Sequence, residues 1–171
     1  MTTTFDKADC FLSDLQDRLA YMTTAAHQAT LARCKYCAGC SEIENCPPDT
    51  YQPQSGTWYR IIYAENDKRS FVPPYQKDPP RLLEKPGTCT DWALSFYLTE
   101  PQARKQYAYL SKVMKDVDRK IGSHIAEVII NNDDGIASPA NKRSGHIDLH
   151  EFTAAKLETQ STLLSAAAQM A

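Results

Sequence analysis

Four of the chain's six cysteines, Cys34, Cys37, Cys40 and Cys46, fall within thirteen residues at the spacing C-x2-C-x2-C-x5-C, and Pro47 follows the last of them. No other stretch restricts the fold as strongly. Thiolates packed this densely repel one another and oxidise readily unless a cation sits among them. Soft sulfur ligands suit Zn2+ or an iron–sulfur cluster. The x2 gaps let the backbone curl so that successive sulfurs converge, and Gly39 relieves the turn. The expected ligands are Cys34, Cys37, Cys40 and Cys46. The expected centre is a 4Fe-4S cluster, with Zn2+ as the alternative. Disulfides are the third reading, disfavoured within the run because x2 neighbours barely meet the Cα separation a bridge requires.

Cys34-x2-Cys37-x2-Cys40 with the later Cys46-Pro47 resembles the bacterial ferredoxin run, with a last gap of five in place of three. The inner part, Cys37-x2-Cys40-x5-Cys46, is similar to the iron–sulfur staple of RecB-type nucleases and to auxiliary-cluster domains of radical enzymes. These resemblances imply a cluster held by the cysteines. The nucleases' acidic residues with their E-x-K core and the radical enzymes' C-x3-C-x2-C are absent from the sequence. Neither activity is therefore implied.

At 171 residues the chain is long enough for a substantial core. A net charge of −2 supplies no global basic field, which argues against nucleic acid and anionic membranes as partners. No apolar run approaches the ~20 residues of a membrane span. The N-terminus lacks the basic start and apolar core of a secretory signal. A reducing cytoplasm is the expected compartment, which favours metal over disulfide. The expected partner is another protein.

Along the chain, residues 9–33 repeat apolar positions at helical spacing and run straight into the cysteines. Within that helix, Cys10 reads as a small apolar residue and His27 as a solvated or packed histidine rather than a further ligand. A proline-rich stretch follows, interrupted by Thr57–Ala64, which reads as a strand, and Phe71-Val72, which reads as the start of another. Thr90 or Asp91 is placed to cap a helix, whereas Ala93–Leu98 also suits a buried strand. Thr99-Glu100-Pro101 starts a helix expected to continue to Ile121. His124–Ile130 and His146–His150 read as strands, and Glu151 onward reads as helix. These elements predict an α+β fold: a small, mainly antiparallel sheet of about four strands with helices on one side. Residues 1–50 form the helix and metal-binding segment, and 51–171 the α+β region packed with it into one compact domain.

Two further constellations carry enzyme readings. Cys89 followed by His146 and Asp148 has the chain order of papain-like amidases, a resemblance that implies a nucleophilic Cys89 at a helix N-terminus. Arg60, Ser95 and Glu127 look like the Arg, Ser/Thr strand and Glu of ADP-ribosyltransferase-like folds, which implies NAD as the ligand. Gly145-His146-Ile147-Asp148 with Glu151-Phe152 is similar to the second half of an EF-hand loop, but Ala140 and Lys142 stand where early carboxylates belong, so calcium lacks its ligands. The leading expectation is a metal centre with a structural or electron-transfer role. A zinc-stapled interaction module and a small enzyme are the alternatives.

Overall fold

A computed structural model describes residues 25–64, 67–77 and 87–167 of the chain. Cys10 and the 9–24 part of the helix predicted over 9–33 lie outside the described residues, and residues 25–33 are helical. The fold is α+β, as its alternating patterns require, but the sheet has six strands rather than about four. In chain order these are β1 (Gly56–Ile62), β2 (Leu94–Tyr97), β3 (His124–Ile130), β4 (Gly135–Ala137), β5 (His146–Glu151) and β6 (Ser161–Ala166). They lie side by side as β4-β5-β2-β1-β3-β6, with every pairing antiparallel.

The period-two pattern of the strands divides the core in two. Trp58, Ile62, Leu94, Phe96, Val128, Ile147 and Leu149 pack on one face, joined by Phe71 and Leu157 from the connections. Ile61, Tyr97 and Ile125 point to the other face. Ala103 and Tyr107 of the helix α4 (Glu100–Val113) pack on that second face, with Val117 and Ile121 of the short helix α5 (Val117–Ile121) against them.

Three predicted elements need correction. The segment expected to be one helix from Thr99 to Ile121 is two, because the chain turns extended at Met114, φ −118° and ψ 119°, and left-handed at Asp116, φ 57°, before the second helix starts. Phe71 closes a 3-10 turn (Lys68–Phe71) instead of opening a strand, since the Asp67 side chain accepts a bond from Arg69 N and curls the chain. The Ala-rich stretch after Glu151, read as helix, supplies β6, paired with β3 from Ser161 to Ala166. Pairing with an otherwise open strand edge there outweighs the intrinsic helix preference of alanine.

The start of α4 follows its sequence signals closely. Thr99 and Gln102 form a reciprocal capping box, with Gln102 Oε1 accepting from Thr99 N at 3.1 Å. Thr99→Ala is expected to lower stability by about 1 kcal/mol, measurable by denaturant titration with unchanged m-value. At the far end, Gly122 has φ 105°, and a Cβ there would stand 2.0 Å from the carbonyl oxygen of Ile62. Only glycine lets β3 enter the sheet alongside β1 at this point.

Candidate metal centre

The helix α1 (residues 25–33) delivers the cysteine run to the end of β5. Cys34 forms an isolated antiparallel bridge with Phe152, Lys35 N donates to Glu151 O at 2.9 Å, and Thr153 N donates to Arg33 O at 2.9 Å. Lys35 then reaches back across the same junction, its Nζ 3.0 Å from both carboxylate oxygens of Glu151. Burial pushes the Glu151 carboxyl up to about 7, and the Lys35 ammonium opposes that rise. Backbone and side-chain bonds together fix the cysteine run against the strand that carries His150.

One turn of helix, α2 (Cys37–Cys40), comes next. Gly39 faces the indole of Trp92, where a Cβ would meet the ring at 2.2 Å. Trp92 stacks on Tyr75 of the one-turn helix α3 (Pro74–Lys77), with ring centroids 4.0 Å apart and an interplanar angle of 22°. The absence of a side chain at Gly39 therefore lets α2 sit directly on the 3-10 turn Cys89–Trp92. That turn has a capping box of its own, between Thr88 and Asp91. The strand reading of this region holds for Leu94–Tyr97, whereas the cap is Thr88, with Asp91 bonding back to it, in place of Thr90 or Asp91, and it opens a 3-10 turn and not an α-helix.

These contacts bring Cys40, Cys46, Cys89 and His150 together. Ligand atoms of Cys40, Cys46 and His150 lie within 4.8 Å of one another, and all three residues are buried. Cys40 Sγ is 3.7 Å from His150 Nδ1, and Cys89 Sγ is 3.4 Å from Nε2. Cys46 and Cys89 are joined as a disulfide. Burial holds His150 down to about 4, so its imidazole is neutral and able to offer a lone pair. Burial, followed by the charge of Cys37, pushes the Cys40 thiol up to about 11.

The remaining sequence candidates are distributed around this cluster. Cys34 is buried beside Ile136 and Phe152, with its sulfur 3.5 Å from Thr30 O, and burial raises its thiol to about 12. Cys37 is exposed. His27 is bonded to Asp49, Nδ1 to Oδ1 at 3.0 Å. His146 and Asp148 are neighbours on β5, Nε2 to Oδ1 at 3.8 Å. The amidase-like reading does not survive in its expected form, because Cys89 is bonded to Cys46 and the imidazole touching it belongs to His150. Of the ADP-ribosyltransferase-like trio, Arg60 meets Ser95, donating from Nη1 to its carbonyl oxygen at 2.6 Å, but Glu127 stands apart. Arg60 lies opposite Ala126 in the β1–β3 register, while Glu127 lies opposite Tyr59, so Arg60 and Glu127 project from opposite faces of the sheet.

His150 was the residue that sequence reasoning passed over. The signal was present in the alternation His146-Ile147-Asp148-Leu149-His150, which places every imidazole on one strand face. Only the fold shows which of them meets the cysteines.

Compared with models of protein families, with curated proteins and with solved structures, the chain finds no match in any of the three. Among the described residues, no helix is long and apolar enough to cross a membrane.

Proposed function

We propose that the protein binds one zinc ion through Cys40, Cys46, Cys89 and His150 once the Cys46–Cys89 pair is reduced, and that the ion acts as a structural staple. The observation that carries this reading is the approach of buried sulfur and imidazole donors to within 4.8 Å at Cys40, Cys46 and His150. Reduction of the disulfide frees a fourth donor, Cys89, in contact with the same imidazole. Three thiolates and one neutral imidazole would make a closed tetrahedral set suited to structural zinc, with Cys89, which meets the opposite ring nitrogen from Cys40, turning toward the ion once released. A 4Fe-4S cubane is held by four thiolates spread around a bulky cluster. Donors this close, one of them an imidazole, favour a single ion.

The staple would tie three remote pieces of chain: the cysteine run, the turn before β2 and the end of β5. It would thereby hold the N-terminal segment to the sheet as one surface for a protein partner. Zinc and disulfide compete for the same two sulfurs, since oxidising the two thiolates to a disulfide sends two electrons to the oxidant and frees the ion.

Cobalt(II) titration of the full chain tests this directly. Dithiol-reduced protein should take up one equivalent and develop the sulfur-to-metal charge-transfer and visible bands of tetrahedral thiolate coordination. Protein with the disulfide intact should take up none at this centre. Equal binding by both forms, or no binding by the reduced form, would overturn the reading.

A further inference from the structure

Away from the cysteines, the sheet buries a cation that has no ion-pair partner among the described residues. Arg60 is 5% exposed, in the wedge where β1 and β2 separate. Its Nε donates to Ser70 O at 2.7 Å and its Nη1 to Ser95 O at 2.6 Å. The rings of Phe71 and Phe96 lie 5.9 and 5.5 Å from the guanidinium carbon. Among the described residues, no carboxylate reaches Arg60 at ion-pair distance. Carbonyl dipoles and ring faces satisfy hydrogen bonds but leave a full positive charge in a low-dielectric setting, which burial penalises heavily.

A second cation faces the same space. Arg60 and Lys77 line a cavity of about 130 Å³ together with Ser95, Tyr97 and the apolar Ile61 and Leu110. Lys77 has no ion-pair partner either among the described residues. Among the described residues, the other charged groups near it are Arg69 and Asp67 of the neighbouring turn, and these are paired with each other at 2.6 Å. The ring of Tyr63 lies 5.0 Å from Lys77 Nζ. Burial keeps the Tyr97 phenol protonated, pushed up to about 12, so it remains a hydrogen-bond donor. Burial first, then the charges of Arg60 and Arg69, hold Lys77 down to about 7. An anion would reverse that depression.

From the buried Arg60, the converging Lys77 and the Ser95 and Tyr97 side chains, we infer that this cavity is a binding site for a small oxyanion, a carboxylate or a phosphate group. The volume is that of roughly four water molecules, which suits one such group and excludes a nucleotide-sized ligand. Guanidinium and ammonium supply the charge, and Ser95 and Tyr97 hydroxyls supply directional donors. The site shares no residue with the metal centre and stands whether or not zinc binds.

Thermal melting of the full chain at fixed ionic strength, with chloride replaced stepwise by inorganic phosphate or by acetate, reads this site. General salt exclusion also stabilises proteins, but without saturation. The expected result is a melting shift that saturates with one of the two anions and that Lys77→Gln moves to at least about tenfold higher concentration. Tyr97→Phe should weaken the same shift. Saturation by phosphate alone or acetate alone identifies the group. Non-saturating shifts with both anions, or identical saturation in wild type and Lys77→Gln, would overturn the inference.

Discussion

His150→Ala will abolish stoichiometric metal binding in the reduced protein, whereas Cys37→Ser will retain it. The contrast follows from position. His150 is buried with both ring nitrogens against cysteine sulfurs, and Cys37 is exposed. Losing a direct ligand should weaken affinity by well over ~100-fold, more than the loss of outer-shell partners does. Stability should fall by several kcal/mol, a fraction of the ~10–16 kcal/mol with which small zinc-dependent domains hold their ion. The fraction is partial because two sheet-based cores exist independently of the centre. Competition with a chromophoric chelator gives the affinities, and melting of metal-loaded protein gives the stabilities. The opposite pattern, with Cys37→Ser releasing the ion and His150→Ala keeping it, would restore the contiguous four-cysteine set as the ligands.

The second large effect is expected at Gly39→Ala. The added methyl would lie 2.2 to 2.4 Å from three atoms of the Trp92 ring. That ring is 8% exposed and stacked on Tyr75, so it has little room to yield. Overpacking of this kind typically costs about 1–3 kcal/mol, or about 3–10 °C in melting temperature for a chain of this size. Because Cys40 is the next residue in α2, the same displacement should also weaken metal binding. A Gly39→Ala protein that melts with wild type would mean that α2 does not sit on Trp92 as described.

Much of the fold could be read from local sequence. The alternation in Thr57–Ile62 and His124–Ile130 marked the central strands, and Thr99-Glu100-Pro101 marked the start of α4. What escaped was decided by pairing across long separations. β4 is three residues long, too short to show a period, and exists because it lies against β5. β6 carries Ala and Ser residues whose own preference is helical or neutral, and β3's free edge converts them. The break between Val113 and Val117 rests on an extended Met114 and a left-handed Asp116 within an otherwise continuous helical pattern.

The candidate metal centre divides in the same way. Cys40 and Cys46 belong to a dense local motif visible in the sequence, whereas Cys89 lies 43 residues beyond Cys46 and His150 lies 110 residues beyond Cys40. Spacing within a motif reports which side chains can converge locally. It is silent about partners that arrive through a sheet, and the grouping of these four depends on Gly39 meeting Trp92 and on Lys35 meeting Glu151.

The most direct test of the account is the metal content and visible spectrum of protein purified without oxygen and without added metal. A colourless sample with one zinc per chain, lost on oxidation of the Cys46–Cys89 pair and regained after reduction, is the expected result. A brown sample with about four irons per chain would contradict the single-ion centre, and reduced protein that neither contains nor takes up zinc would contradict a metal centre at these residues.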